Sequence, residues 1–303
     1  MRVLLTGSNG FLGQKFCERL SEYSQIESIL GLSKSENRNP YLDENSFLQV
    51  DLLDFEKLEA IIVGFQPTHI IHTAALTSVE GCADQPHRAE QINVQLSTML
   101  AQMCKEQNIH FTFISTDFVF DGQNGPYQET DPVKATNAYG QSKIDAEKAI
   151  LTTYPEAAIL RTILVYGAIP DKNRSNLVLW AKKQLEHGEK INVVSDQWRM
   201  PTFVDDLADA CYSAMQQKAL GIFHISGSEM MTVLEAVHLI ADTWNFDKSL
   251  IQPITAAEIG QADNRPRKTG FILDKAKTIL NYEPTPFIVS LQKIGEQLKK
   301  YNS

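Results

Sequence analysis

Residues 2–13 read RVLLTGSNGFLG. A short apolar run, 2–6, meets glycines at 7, 10 and 13, and the helical pattern FLGQKFCERLSEY follows at once. A GxxGxxG turn between a buried strand and a helix lets the main chain approach a pyrophosphate, while the free N–H groups and positive dipole end of the helix face it. A glycine triplet alone is weak evidence, because a tight strand–helix turn without a ligand has the same spelling. The surrounding pattern decides between them.

Working outward, SILGL (28–32), FLQV (47–50), THIIHTAAL (68–76), HFTFIST (110–116) and AAILRTILVYG (157–167) are further strand-like runs. Between them lie the helical patterns DFEKLEAIIVGF, QINVQLSTMLAQMCKEQ and AYGQSKIDAEKAILTTY. This alternation predicts an α/β fold, a Rossmann-type doubly wound parallel sheet with helices on both faces. After Gly167 the rhythm loosens, then PTFVDDLADACYSAM and GIFHIS return to the main sheet. The expected division is a dinucleotide-binding Rossmann domain of residues 1–167 plus about 201–228, and a smaller, mostly C-terminal α/β substrate lobe of 168–200 and 229–303.

Composition narrows the function. Among 303 residues, 28 Lys and Arg against 37 Asp and Glu give a formal charge of −9, and no basic run occurs, so a nucleic-acid polymer is not an expected partner. The four cysteines form no CxxC pair and no metal-like cluster, which predicts reduced thiols and no metal. No run approaches the roughly 20 apolar residues of a membrane span. The first residues lack the pattern of a secretory signal, so a cytoplasmic location is expected.

The second strand leads into Ser33, Lys34 and, nearby, Arg38. A hydroxyl and cations suit a 2′-phosphate better than a free 2′-OH, so NADP(H) is preferred, with NAD(H) possible. Asp51, closing VD after the third strand, is placed to accept from an adenine amino group with Leu52 against the ring. The alternative is a helix cap, a role that Asp54 fills more naturally.

YGQSK (139–143) sets Tyr139 and Lys143 one helical turn apart. A cation there would lower the phenol pKa from about 10 and let Tyr139 pass a proton to a carbonyl oxygen. Thr116, at the C-terminal end of a strand, is where α/β sheets place ligands, and its hydroxyl would hold the same oxygen. Each feature alone has a bland explanation; the three in this order form a constellation.

These motifs resemble the extended short-chain dehydrogenase/reductase family: TGSNGFLG its cofactor turn, YGQSK its YxxxK, STDFVFDG its strand-end segment. PYQETD, RTILVYG, DQWRMPT and NRPRKTGF are similar to the dTDP-4-dehydrorhamnose reductases within it. The resemblance implies hydride transfer from NAD(P)H to the C4 ketone of a nucleotide-linked deoxysugar, with Thr116, Tyr139 and Lys143 catalytic. It implies cofactor contacts at Gly7, Asn9, Gly10, Phe11, Leu12, Thr73, Ala74, Ala75, Asn93 and Ser115, besides Tyr139 and Lys143. It implies contacts to a nucleotide-diphosphate sugar at Thr77, Thr116, Asp117, Asn176, Arg199 and Arg265, in a monomer or homodimer. Leu164 stands in RTILVYG where those reductases carry Trp. Two alternatives share the motifs: a nucleotide-sugar epimerase or dehydratase, and a non-catalytic NADP-binding subunit like the regulatory subunit of methionine adenosyltransferase.

Overall fold

The computed structural model describes residues 1–302. Six strands, β1 (Arg2–Thr6), β2 (Ser28–Ser33), β3 (Phe47–Gln49), β4 (His69–His72), β5 (His110–Thr116) and β6 (Ala158–Thr162), join the strand Gly221–Ile225 in one seven-stranded sheet. Its order is Gly221–Ile225, β6, β5, β4, β1, β2, β3, and every pairing is parallel. The order reverses between β1 and β4, and the crevice beyond the strand C-termini at that point is where open α/β sheets hold ligands. The core of β1, Val3–Leu5, is fully buried, as a strand covered by helices on both faces must be.

Two expected strands end early. The run predicted over 68–76 stops at His72, and residues 73–76 become the loop flooring the crevice. The run predicted over 157–167 breaks after Thr162, because the Thr202 hydroxyl accepts from the Ile163 N–H at 3.2 Å and turns the chain. Leu164 then takes a left-handed backbone, φ +38°, before a two-residue strand, Val165–Tyr166. A branched side chain in that region is strained, and such strain gathers at functional sites.

Two apolar clusters pack the faces of the large sheet, one centred on Leu5, Leu160, Leu207 and Phe223, the other on Leu4, Leu58, Leu100 and Phe111. A third gathers Tyr166, Val178, Ile191, Phe203, Ile240 and Leu291. The helix Ala138–Thr153 carries YGQSK and is capped by Asn137, whose side-chain Oδ1 accepts from Gly140 N at 2.8 Å. Asp54 caps the helix Phe55–Phe65 by accepting from Lys57 N at 3.2 Å.

Candidate active site

At the switch point lies a cleft of about 850 Å³, within the range of small-molecule and cofactor sites. Gly7, Asn9, Gly10, Phe11 and Leu12 line one end; Ser33, Lys34, Asp51 and Leu52 the rim beside them; Thr73, Ala74, Ala75 and Thr77 the floor; Ser115, Thr116 and Tyr139 the far end. Thus sixteen of the expected residues share one space. The turn is glycine-dependent: at φ +72°, a Cβ on Gly7 would sit 2.6 Å from Thr73 Oγ1 and 2.8 Å from Ala74 N. This close approach joins the β1 turn to the floor of the cleft.

The charge balance of the lining opposes that of the chain. Four basic side chains, Lys34, Arg38, Arg88 and Arg174, face one acidic side chain, Asp51. A locally positive cleft in a chain of net −9 suits a polyanionic ligand such as a dinucleotide. Lys34 Nζ and Asp51 Oδ2 are 2.7 Å apart, so the groups expected on the 2′-phosphate and on adenine pair with each other across the rim. Both are exposed, and an exposed pair is worth well under about 1 kcal/mol, so a ligand can separate them. Asn9 orders the neighbouring loop by donating to Glu36 O at 2.7 Å and accepting from Arg38 N at 2.9 Å.

At the far end, Thr116 Oγ1 donates to Asp117 Oδ1 and accepts from Phe118 N, both at 3.2 Å. The helix bearing Tyr139 comes against this segment only because residue 140 is glycine: a Cβ there would lie 2.1 Å from Phe118 O. The Phe118 ring meets Tyr139 edge-on at 6.1 Å. Lys143 is buried, with Nζ 3.8 Å from the Phe113 ring centroid.

The electrostatics differ from the sequence expectation. Burial first, and then Asp117, push the Tyr139 phenol above its usual pKa, while its hydrogen bond with Thr116 pulls the other way. Burial pushes the Lys143 amine down from 10.5 to about 7, against the opposing pull of Glu147. Burial therefore dominates both groups, raising the phenol and lowering the amine, as a dry environment disfavours the charged form of each.

Several expected contacts lie elsewhere. Asn93 sits in a widened helical turn, Glu90–Gln95, and bridges Leu76 O and Ser142 Oγ, each at 2.9 Å, so it ties the cleft floor to the tyrosine helix from behind. Asn176 caps the helix Leu177–Glu186, and its amide donates to Gly167 O at 3.0 Å. Arg199 is 5% exposed and donates to Trp198 O and Pro266 O at 2.7 Å, bracing two loops. Arg265 pairs with Glu80 at 2.7 Å. Asp117 is buried and accepts from Thr269 Oγ1. Arginines and amides serve carbonyls and caps as readily as phosphates, and only tertiary position separates these uses. In turn, Arg88 and Arg174 also line the cleft, and no short motif in the sequence marks either. Among the described residues, no group of three His, Cys, Asp or Glu is placed to hold a metal.

Glycine turn, strand-end threonine and helical tyrosine–lysine pair on this sheet define a Rossmann-type fold of the short-chain dehydrogenase/reductase kind. The chain belongs to the RmlD substrate binding domain family, whose model matches residues 1–300. It is 33% identical over 297 residues to the methionine adenosyltransferase 2 subunit beta of Pongo abelii, covering 96% of this chain and 86% of that one. It is 31% identical over 273 residues to a probable low-salt glycan biosynthesis reductase of Haloferax volcanii, 89% of each chain. Its fold matches that of the Bacillus anthracis dTDP-4-dehydrorhamnose reductase in complex with NADP, with a TM-score of 0.84, 24% identity and coverage of 98% and 99%.

Proposed function

We propose that this chain binds a nicotinamide dinucleotide in the cleft, NADP(H) before NAD(H), and reduces the 4-keto group of a nucleotide-linked deoxysugar. The observation that carries this reading is that Thr116 and Tyr139 line the same cleft as the Gly7–Leu12 turn. The turn's N–H groups take the pyrophosphate, and Lys34 and Arg38, which line the same cleft, supply the positive charge that a 2′-phosphate requires. A reduced nicotinamide bound there supplies the hydride for the carbonyl carbon.

The chain's own groups handle the oxygen. Thr116 Oγ1, turning its one proton away from the long 3.2 Å contact with Asp117 Oδ1, donates to it and fixes its position. Tyr139 gives it the phenolic proton as negative charge develops. A phenol held above its usual pKa is fully protonated at neutral pH, which suits the reducing direction. Lys143 titrates near 7, so about half of it is already protonated at neutral pH; that ammonium can return a proton to the phenolate and becomes neutral as it does so.

The test is turnover: mix the protein with NADPH and dTDP-4-keto-6-deoxy-L-mannose and follow the loss of NADPH absorbance. A steady loss that disappears in Tyr139→Phe supports the reading; a flat trace with this ketone and related ones overturns it. One specific observation favours a second reading, an NADP-binding regulatory subunit: the 33% identity to a protein named as a subunit of methionine adenosyltransferase. Asn176, Arg199 and Arg265, engaged in protein contacts, leave that reading its room. A flat trace together with tight NADPH binding selects it.

A further inference from the structure

The segment Pro170–Ser175 lies against the glycine turn, through Asp171 on Gln14 and Arg174 on Asn9. Asp171 is its anchor. Its carboxylate is almost fully buried, yet it faces Arg38 at 3.8 Å, Arg174 at 4.0 Å and Gln14 Nε2 at 3.4 Å, and it accepts from Asn173 N at 3.0 Å. One carboxylate thus gathers two arginines that both line the cleft. Arg174 reaches further: its Nη2 donates to Asn9 O at 3.3 Å, the carbonyl beside Gly10. That carbonyl already accepts from Gln14 Nε2 at 3.1 Å, so the arginine contact is the dispensable one of the two. The Arg174 side chain is 40% exposed, and beyond the Nε ion pair with Asp171 and the Nη2 bond to Asn9 O, three of its five N–H donors take no part in these contacts.

An arginine fork hung over the N-terminal end of a helix, beside three glycines, has the chemistry of a diphosphate clasp: planar donors, fixed charge and a weak contact to give up. We infer that Arg174, held by Asp171 from a segment outside the β1–β6 region, closes over the pyrophosphate of the dinucleotide, and that Arg38 on the other side of Asp171 serves the 2′-phosphate. This rests on the proposed cofactor site and adds to it a pyrophosphate ligand from the far side of the cleft. It also divides the cation cluster into two jobs with different ligand requirements.

Two fragments separate those jobs. ADP carries the pyrophosphate without a 2′-phosphate; 2′-AMP carries the 2′-phosphate without the pyrophosphate. Calorimetric titration of both, and of NADPH and NADH, compares the native chain with Arg174→Ala and Arg38→Ala. Arg174→Ala weakens ADP, NADH and NADPH alike by about tenfold, the value of one charge-assisted hydrogen bond, and leaves 2′-AMP unchanged. Arg38→Ala does the reverse for the fragments. Arg174→Lys keeps the charge, loses the fork and recovers part of the ADP affinity. Unchanged ADP binding in Arg174→Ala, or a loss confined to 2′-AMP and NADPH, overturns the clasp while the cofactor site stands. A native chain that binds none of the four ligands sinks the cofactor site and the clasp together.

Discussion

Replacing Lys143 by methionine is expected to stabilise the protein while it removes the proposed chemistry. Burial holds the Lys143 amine at about 7 against 10.5 in the unfolded chain. That difference is 3.5 units, and at about 1.36 kcal/mol per unit the charged form costs the fold about 5 kcal/mol. At pH 7 half of the amines are neutral, which brings the cost to about 4 kcal/mol. Methionine fills the same space without charge but loses the contact with the Phe113 ring, worth about 1–2 kcal/mol. The net expectation is a gain of about 2–3 kcal/mol at pH 7. The sign with pH follows from proton counting: the unfolded chain binds more protons at this site between pH 7 and 10.5, so native stability rises with pH across that window. Methionine has no such dependence, and by pH 10 its advantage shrinks to well under half. Urea unfolding of both proteins at pH 7 and pH 10, without cofactor, reads this directly. A Lys143→Met protein less stable than the native one at pH 7, or an advantage that does not shrink by pH 10, refutes the picture of a dry, half-neutral lysine.

Tyr139→Phe is expected to lower turnover by about 10²–10⁴-fold while leaving NADPH affinity within about threefold, since only the proton donor is lost; calorimetry and the absorbance assay report the two separately. Gly140→Ala puts a methyl carbon into Phe118 O, so the helix must move, at a cost of about 1–3 kcal/mol in urea unfolding and with turnover falling further than stability. Leu164→Gly removes a side chain from a left-handed backbone position and is expected to raise stability by up to about 1 kcal/mol while weakening the ketone's KM, because Leu164 lines the cleft; an unchanged KM separates Leu164 from substrate recognition.

Much of the fold is legible in the sequence because buried parallel strands write themselves as apolar runs. RVLLT, HFTFIST and the helix from Ala138 fall at their predicted places, and Asp54 caps its helix as its position implies. The break after Thr162 was hidden, since it depends on a hydroxyl 40 residues away, Thr202. That Gly7–Leu12, Thr116 and Tyr139 share one cleft was legible for the same local reason: a turn, a strand end and one helical turn carry them. The surroundings of Asn176 and Arg199 were not. Arg199 and Asn176 have the right chemistry for a diphosphate, but their partners, Pro266 O and Gly167 O, are set by tertiary packing. Arg174 shows the converse, an arginine in a plain loop sequence that the fold brings to Asn9 O. The pKa values follow neither motif nor spacing, because burial, which the four-residue interval between Tyr139 and Lys143 does not encode, dominates both.

The most direct measurement is a crystal structure of the protein grown with NADPH. The phosphates should rest on the Gly7–Leu12 turn, and the nicotinamide C4 should lie within a few ångströms of the position where both the Thr116 and Tyr139 hydroxyls can reach a ketone oxygen. A dinucleotide seated elsewhere, or one whose nicotinamide turns away from a phenol that faces solvent, would contradict the account.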